Sequence, residues 1–526
     1  MKPRPLTRRQ FVTAVGVTAG GAAAYTAMRG LDLFGDEAGT FTVGPPRLGG
    51  RVSNKKVIIV GAGLAGMCAA YELGKVGYDC QILEARTRTG GRCWSVRDGS
   101  DHTELSGERQ VAEFGGDQYF NPGPARIPQH HHTTLGYCRE LGVAVEVFTN
   151  VNEAAFYYRG RGALGGEKVR VREAKTDMRG YVAELMTKTI DTSLLDQPLT
   201  ATNKAALLSY LDREGDLENG TYNGSDRRGF MVLPGAGDQA GVVADPHGFD
   251  DLLRSQHPAF FSDEYAIHQQ MTMLQVVGGT DKLAAAFDAR LSDRIELGAE
   301  VSEIRETGFG VRVAYTDARG ETRDATGDYC ICTLPLPVLR GVTTDLPSHV
   351  SSAIDDVYYV PSGKIGLHFS RRFWEDDDGI FGGITRTNSS IRQIWYPSSG
   401  YLGPDGVLIG YYNFDQAARA MGELPHAERE AEALRQGSAI HPQYDNAFMS
   451  SYSVSWQELP YSLGAFAHYD DSTRRNAYAL LSRTSGRIRL AGEHLSHLTG
   501  WMAGAFESAL TTIDSIHTQV LAEDAQ

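Results

Sequence analysis

A glycine-rich turn between two strands constrains this chain more than any other feature. The run Lys56–Val60 is largely β-branched, as in a buried parallel strand, and Gly61-Ala62-Gly63-Leu64-Ala65-Gly66 follows it at once. A helical pattern comes next, and a second predicted strand, residues 79–83, ends in Glu84. Strand, glycine loop, helix, strand and acid in this order predict a dinucleotide-binding domain with a parallel sheet.

Each position of the loop has a physical reason. Gly61 permits the tight turn, Gly63 lets the backbone approach a pyrophosphate, and Gly66 lets helix and strand pack closely. The first helical turn, which includes Ala65, offers free N–H groups to phosphates. Glu84 can accept both hydroxyls of an adenosine ribose. NAD and FAD both use this fingerprint, so the loop alone does not separate them.

The residues after Glu84 favour FAD. They read Ala85-Arg86-Thr87-Arg88-Thr89-Gly90-Gly91-Arg92, which resembles the extended FAD motif of the amine-oxidase and glutathione-reductase-like flavoproteins. The resemblance implies further pyrophosphate contacts from N–H groups and from a cation. It assigns them to Ala85, Arg86, Gly91 and Arg92. The alternative is a solvated basic loop.

A second motif lies near the other end of the chain. Residues 487–493 read as a strand that ends in a small turn, and a helix starts at Trp501-Met502. This segment resembles the C-terminal FAD motif of the amine-oxidase superfamily. The resemblance implies that Gly492 and Glu493 contact the ribityl and pyrophosphate, and that the helix N-terminus, with Trp501 and Met502, faces the flavin ring. FAD would then be bound by both ends of the chain.

The resemblance covers most of residues 53–515 and implies an α/β fold. A Rossmann-like FAD-binding domain, of the amine-oxidase and glutathione-reductase-like kind, would be joined by a mixed-sheet substrate domain and a helical subdomain. Val301 matches the position whose backbone meets the adenine. The implied FAD-binding domain consists of residues 53–110, 275–340 and 481–520. The implied substrate-binding domain consists of residues 111–164 and 341–480. Residues 165–274 would form a helical subdomain that lines the entrance to the substrate site.

A loop points to the substrate. Asn121-Pro122-Gly123-Pro124-Ala125-Arg126-Ile127-Pro128 resembles the Gly-Pro-x-Arg-Ile-Pro motif of L-amino acid oxidases, closest to the bacterial ones. The resemblance implies that Arg126 binds the substrate carboxylate and that Gly123, Ala125 and Arg126 lie near the flavin. A desolvated carboxylate needs a planar double donor, which arginine supplies. The alternative is that Arg126 pairs with a carboxylate of the protein.

Two predicted strands add candidate residues. Gln393-Ile394-Trp395-Tyr396-Pro397 resembles a segment of amino-acid oxidases whose tyrosine joins the arginine, which makes Tyr396 the candidate. Trp395 points to the opposite face of the strand, so a shift of one residue would exchange the two. Lys364 matches the lysine that holds a water against the flavin N5 in the family. A core tyrosine and a solvated surface lysine are the alternatives.

Aromatic residues are expected beside the flavin. In monoamine oxidases the turn equivalent to residues 455–466 carries a cysteine that binds flavin covalently, but this chain has Ala465 there. The resemblance therefore implies non-covalent FAD, with Phe466, Gly500 and Trp501 bordering the substrate. Ordinary core aromatics are the alternative for Phe466 and Trp501.

These features predict an FAD-dependent oxidase that converts an L-amino acid to a 2-oxo acid, ammonia and hydrogen peroxide, with dioxygen as second substrate. The sequence leaves open an amine or polyamine oxidase, an amino-acid 2-monooxygenase and a flavin-binding protein without turnover. The sequence does not reveal which amino-acid side chain the enzyme prefers. It also does not reveal the oligomeric state, for which a homodimer is one candidate. A general base is not identified; Asp263 and His268 are weak candidates.

The composition excludes other classes. A formal net charge of −14 disfavours nucleic acid as a partner. The sequence contains no run of about 18 apolar residues, so no membrane span is predicted. Six cysteines without a framework spacing are expected to be buried apolar residues. No metal site is predicted, because neighbouring residues such as His130, His131 and His132 diverge by about 100° on a helix.

The first 30 residues resemble an export signal. A basic stretch precedes an Ala/Gly/Val-rich stretch, and Thr7-Arg8-Arg9-Gln10-Phe11-Val12 resembles the bacterial twin-arginine motif. The expectation is export of a folded protein, with Ala22-Ala23-Ala24 as a weak cleavage candidate. The alternative is a disordered tail on a cytoplasmic protein.

Overall fold

A five-stranded parallel sheet forms the centre of the computed structural model, which describes residues 48–191, 199–483 and 486–524. The predicted signal segment, residues 1–30, lies outside these ranges. The strands run in the order Ile295–Leu297, Asp79–Glu84, Lys56–Val60, Tyr329–Cys332 and Ile488–Leu490. Val57 and Ile59 face one hydrophobic core, whereas Ile58 and Val60 face another, so this strand is buried on both sides.

Three helices cover one face of the parallel sheet. They are Leu64–Lys75, Asp281–Leu291 and the C-terminal helix Met502–Asp524, which packs against the first of them. The other face packs against the helix Ser348–Asp355 and a four-stranded sheet. That sheet has the order Thr322–Gly327, Val311–Thr316, Glu300–Glu306, Thr343–Thr344. The predicted α/β fold class with a Rossmann-like sheet is confirmed.

A seven-stranded mixed sheet forms the second layer of strands. Its second strand, Ser362–Phe369, is buried along its whole length. Most neighbours are antiparallel, but Gly383–Thr387 runs parallel to Phe156–Tyr158. The order is Phe448–Ser455, Ser362–Phe369, Gly406–Phe414, Gln393–Tyr396, Gly383–Thr387, Phe156–Tyr158, Lys168–Arg170.

The predicted helical subdomain, residues 165–274, is helical in its middle and extended at both ends. Lys168–Arg170 is the edge strand of the seven-stranded sheet, and Thr272–Val276 pairs with Val145–Thr149. The middle contains a hairpin and three helices: Phe230–Val232 with Val242–Val243, and Val171–Asp191, Ala201–Gly215 and Phe249–Ser255.

Shorter elements connect these layers. Three strand pairs are Val96–Arg97 with Tyr119–Phe120, Asp101–Thr103 with Arg109–Val111, and Tyr358–Val360 with Phe466–His468. The short helices are His132–Leu141, Leu336–Leu339, Phe373–Asp376, Asp415–Gly422, His426–Ser438, Tyr444–Ala447, Asp471–Thr473 and Ala479–Leu481.

The six cysteines are buried and unpaired, as the sequence predicts: Cys68, Cys80, Cys93, Cys138, Cys330 and Cys332. Burial raises the pKa of the Cys332 thiol to about 12, so this group stays protonated. Within the described ranges, no helix is both long enough and apolar enough to cross a membrane.

Candidate active site

The glycine loop forms one end of a cavity of about 320 Å³. Gly61 has a φ of +103°, which favours glycine, and a Cβ on Gly66 would collide with the carbonyl oxygen of Gly61. Gly63 caps the helix Leu64–Lys75, whose first turn has no side-chain cap and no acidic residue. Its N–H groups are therefore available to an anion such as a pyrophosphate.

Glu84 is the last residue of the strand Asp79–Glu84. It lines the same cavity and is buried. One carboxylate oxygen accepts the N–H of Ala62 at 2.8 Å and the other accepts the N–H of Arg86 at 3.0 Å. The Arg86 guanidinium lies 3.7 Å from Glu84 and donates to the Pro460 carbonyl and the Ser462 hydroxyl, each at 2.8 Å. Glu84 is thus fixed in place with lone pairs left for ribose hydroxyls.

Arg92 and Glu493 join the two sequence motifs. The Arg92 guanidinium donates to Glu493 and to the Ala465 carbonyl, both at 2.8 Å, and Glu493 also accepts the N–H of Gly500 at 2.9 Å. Burial works against the Arg92 cation, but Glu493 more than offsets it, and the pKa of Arg92 is raised. The pair holds both motifs around one cavity, with Gly492 beside them.

Most of the predicted cofactor and substrate residues line this cavity. They are Gly61, Gly63, Ala65, Glu84, Ala85, Arg86, Gly91, Arg92, Gly123, Val301, Phe466, Gly492, Glu493, Gly500, Trp501 and Met502. Ala465 lines it as well. Five other predicted residues are not part of its wall: Gly66, Ala125, Arg126, Lys364 and Tyr396.

Two cations lie together just beyond the loop of Gly123. Lys364 is buried, and its Nζ donates to the carbonyls of Asn121 at 3.0 Å and Gly123 at 2.7 Å. Burial, and then the charge of Arg126, lower the pKa of Lys364 well below its usual value. Burial thus disfavours the ammonium form of Lys364, and the two carbonyls accept the hydrogen bonds that its Nζ donates.

Arg126 lies 4.5 Å from the ring centroid of Trp395 and donates to the side-chain oxygen of Asn150. Burial lowers its pKa to about 10. Among the ion pairs of residues 48–191, 199–483 and 486–524, none joins Arg126 or Lys364 to a carboxylate. An unpaired buried cation is costly, so this part of the site favours an anionic ligand.

The structure does not bring Tyr396 to Arg126, and that prediction needs correction. The Tyr396 hydroxyl is 2.7 Å from the Thr385 hydroxyl and 2.6 Å from Nε2 of His441, in a core on the other face of the sheet. Trp395 takes the place beside Arg126. Successive strand residues point to opposite faces, so the interpretation of the segment was one residue out of register.

Tyr412 is the tyrosine that the sequence interpretation missed. It lies directly opposite Lys364 in the antiparallel ladder, and the Lys364 Nζ is 4.4 Å from its ring centroid. Tyr412 also lines the cavity. Burial raises the pKa of Tyr412, and the nearby charge of Arg126 offsets part of that rise. The sequence shows the alternation of side chains along Gly406–Phe414. It does not show how this strand pairs with Ser362–Phe369, the strand that carries Lys364.

The structure also gathers a set of histidines that the sequence did not predict. His130 and His131 meet His268, with ligand atoms within 4.8 Å of one another. The prediction of no metal-ligating group considered only neighbours in the chain, whereas His268 is more than 130 residues away in sequence.

These features define a flavin-type oxidoreductase site: a dinucleotide-binding end, a buried lysine and aromatic walls around one cavity. A family model described as "Flavin containing amine oxidoreductase" matches residues 64–516. The chain belongs to this family, and its cofactor is FAD. The glycine loop, the uncapped helix and Glu84 fit the adenosine and pyrophosphate of that cofactor.

Two relatives extend the similarity over most of the chain. The flavin-dependent L-tryptophan oxidase RebO of Lentzea aerocolonigenes is 30% identical over 88% of this chain and 98% of its own length. An L-amino-acid oxidase of Gloydius halys is 26% identical over 87% of this chain and 88% of its own length. The solved structure of cyclohexylamine oxidase from Brevibacterium oxydans IH-35A shares the fold, with a TM-score of 0.58 and 17% identity. The match covers 89% of this chain and 99% of that structure.

Proposed function

We propose that this amine oxidoreductase oxidises the α-amino group of an L-amino acid and releases a 2-oxo acid, ammonia and hydrogen peroxide. The observation that carries the proposal is Arg126, a partly buried guanidinium without a carboxylate partner among the described residues. Its partner would be the α-carboxylate of the substrate. The names of the relatives support the L configuration.

The surroundings of Arg126 favour a carboxylate over a simple amine. Lys364 adds a second basic group, and its ammonium form is disfavoured because burial and Arg126 lower its pKa. A protonated amine would bring another positive charge beside Arg126, with which no carboxylate of the described residues pairs. An amino acid brings its own negative charge, which offsets the charge of Arg126 when water is excluded.

The residues of the chain position the substrate and handle protons. Arg126 would bind the carboxylate through two N–H groups, and the Tyr412 hydroxyl would donate a third hydrogen bond. Trp395 packs against the guanidinium and limits its movement. The Lys364 Nζ, whose ammonium form is disfavoured by burial, can exchange a proton with a water during the reaction.

FAD, when bound, supplies the acceptor for the two electrons that leave the Cα–N unit, and dioxygen is the final acceptor. The amino acid loses two hydrogens and becomes an imine. Water then adds to the imine carbon, and ammonia leaves. One amino acid, one dioxygen and one water thus give one 2-oxo acid, one ammonia and one hydrogen peroxide. Arg126 fixes the carboxylate, which places Cα–H toward the cofactor.

A substrate panel tests the proposal directly. Purified holoenzyme is given L-amino acids, their D enantiomers and the corresponding decarboxylated amines, and peroxide and ammonia are measured together. Equal amounts of both products from L-amino acids alone are expected. Carbon dioxide and an amide instead of ammonia would indicate a 2-monooxygenase. Preference for the amines would indicate an amine oxidase, and flavin without turnover would indicate a binding protein.

We also propose that FAD is held without a covalent bond. Ala465 lines the cavity and has no nucleophilic atom, and burial keeps the nearby Cys93 thiol protonated, with its pKa raised to about 12. The cofactor would then depend on the Arg92–Glu493 pair and on the glycine loop.

We propose, finally, export by the twin-arginine route. The motif around Arg8 and Arg9 and the apolar stretch that follows support it. Expression of the full chain with both arginines changed to lysine is expected to keep the protein in the cytoplasm, whereas the parent reaches the periplasm or medium. Equal distribution of the two proteins would contradict export by this route.

A further inference from the structure

Three histidines from two distant segments converge near the substrate end of the cavity. His130 and His131 end the loop that carries Arg126, and His268 belongs to the 3₁₀ turn Ile267–Gln269. His268 Nδ1 lies 3.0 Å from Nε2 of His130 and 3.2 Å from Nε2 of His131. The three ligand atoms all lie within 4.8 Å of one another.

Hydrogen bonds among the rings do not satisfy this arrangement. A neutral imidazole has one N–H and one lone pair, so Nδ1 of His268 can form one good hydrogen bond with a neighbouring ring nitrogen. Here two ring nitrogens approach it within 3.2 Å. The two rings therefore compete for one position on Nδ1, a competition that a shared cation would remove.

The spacing fits a tetrahedral metal. Zinc binds histidine nitrogen at about 2.0–2.1 Å, and two ligands of a tetrahedron at that distance are about 3.3 Å apart. The two distances to His268, 3.0 and 3.2 Å, are close to this edge length. The Gln270 amide nitrogen donates to Nδ1 of His130 at 3.2 Å, so without a metal the proton is on Nε2, which faces His268. A metal at Nε2 would move this proton to Nδ1 and turn the amide oxygen toward it.

The three residues offer the ligand type that first-row transition metals prefer, because imidazole nitrogen binds Zn²⁺ and its neighbours. His130 and His268 are partly exposed, which leaves a path for an ion from solvent.

From this geometry we propose that His130, His131 and His268 form a binding site for a divalent transition metal, of which Zn²⁺ is the best match. Three nitrogen donors suit Zn²⁺ and its neighbours in the first row, whereas Mg²⁺ and Ca²⁺ prefer oxygen. The fourth position is open for a water. The proposal does not depend on which amine the enzyme oxidises.

The site adjoins the substrate walls. The rings of His131 and His268 lie 5.1 and 5.9 Å from the ring of Trp501, which lines the cavity. The turn of His268 also holds Asn150, because the Asn150 side chain donates to the Gln269 carbonyl at 2.9 Å and accepts from Arg126. A bound metal would join the Arg126 loop to the segment that covers it.

Metal binding to tag-free holoenzyme tests the proposal. The protein is treated with a chelator and then titrated with Zn²⁺ by calorimetry, and with Co²⁺ by visible spectroscopy beyond the flavin bands. One Zn²⁺ per chain and the intense d–d bands of tetrahedral Co²⁺ are expected, with Mg²⁺ giving neither. Absence of a one-to-one site for Zn²⁺ would overturn the proposal.

Two variants separate this site from adventitious binding. His268→Ala is expected to weaken Zn²⁺ binding by roughly a hundredfold or more, since even the loss of an outer partner costs 10–100-fold. His132→Ala removes the adjacent histidine outside the set and is expected to bind Zn²⁺ like the parent. FAD content checks the fold of both variants. Equal Zn²⁺ affinity in His268→Ala and parent would refute the assignment.

Discussion

Replacing Arg126 with alanine should remove the positive charge that the proposed substrate carboxylate needs. The guanidinium is partly buried against Trp395 and lacks a carboxylate partner within the described part of the chain, so its charge is balanced only when substrate is bound. Loss of one partner from a buried bidentate ion pair costs about 3–5 kcal/mol. Since each ~1.36 kcal/mol is tenfold, kcat/KM for the best amino acid should fall by roughly two to four orders of magnitude.

The kinetic pattern should show where the energy is lost. The arginine also fixes Cα–H toward the cofactor, so part of the loss is expected in kcat and not only in KM. The matching decarboxylated amine has no carboxylate to lose. Its slow oxidation by Arg126→Ala should therefore equal or exceed that by the parent.

Initial rates of peroxide formation, with the amino acid and with its amine, provide the assay. Arg386→Ala is a matched control, because Arg386 lies near Arg126 but already pairs with Asp263 at 2.8 Å. This control is expected to lose less than about tenfold, as partly exposed ion pairs contribute about 1 kcal/mol or less. If Arg126→Ala oxidises the amino acid as well as the parent does, the carboxylate clamp is wrong, and an amine becomes the favoured substrate.

Four further outcomes are expected. Lys364→Met should keep FAD bound but slow flavin reduction or reoxidation in stopped-flow experiments; unchanged rates in both half-reactions would remove the lysine from the mechanism. Tyr412→Phe should raise KM for the amino acid by about tenfold or more, since a hydrogen bond to a charged group contributes about 1.5–3 kcal/mol. Tyr396→Phe should leave KM unchanged and lower stability by about 1 kcal/mol, and the reverse pattern would restore the original interpretation. Acid precipitation should release FAD into the supernatant, whereas a yellow pellet would contradict the reasoning from Ala465.

The dinucleotide end was predictable because its signal is local. Gly61 and Gly66 are constrained by the turn that joins one strand to one helix, and Gly63 caps that helix, so the sequence displays all of that turn together. The same holds for the motif at Gly492 and Glu493. Each motif needs only a few neighbouring residues, so the fold class followed from the sequence.

The substrate end was less predictable because it depends on register between distant strands. Tyr396 and Trp395 are equally good candidates by residue type, and a shift of one residue decides which of them faces Arg126. Tyr412 is selected only by its pairing with Lys364, 48 positions away. His268 comes from a region without a regular pattern, so its contact with His130 had no signal in the sequence.

The Arg92–Glu493 ion pair sets an order of events during synthesis. Its two residues are 401 positions apart, so the first FAD motif leaves the ribosome long before its partner exists. At about 5–20 residues per second, the delay is roughly 20 to 80 seconds. During that time the sheet also lacks its last strand, Ile488–Leu490, and the helix Met502–Asp524. We therefore expect FAD to bind only after residues 488–524 have been made, and a chain that stops before Ile488 should remain colourless.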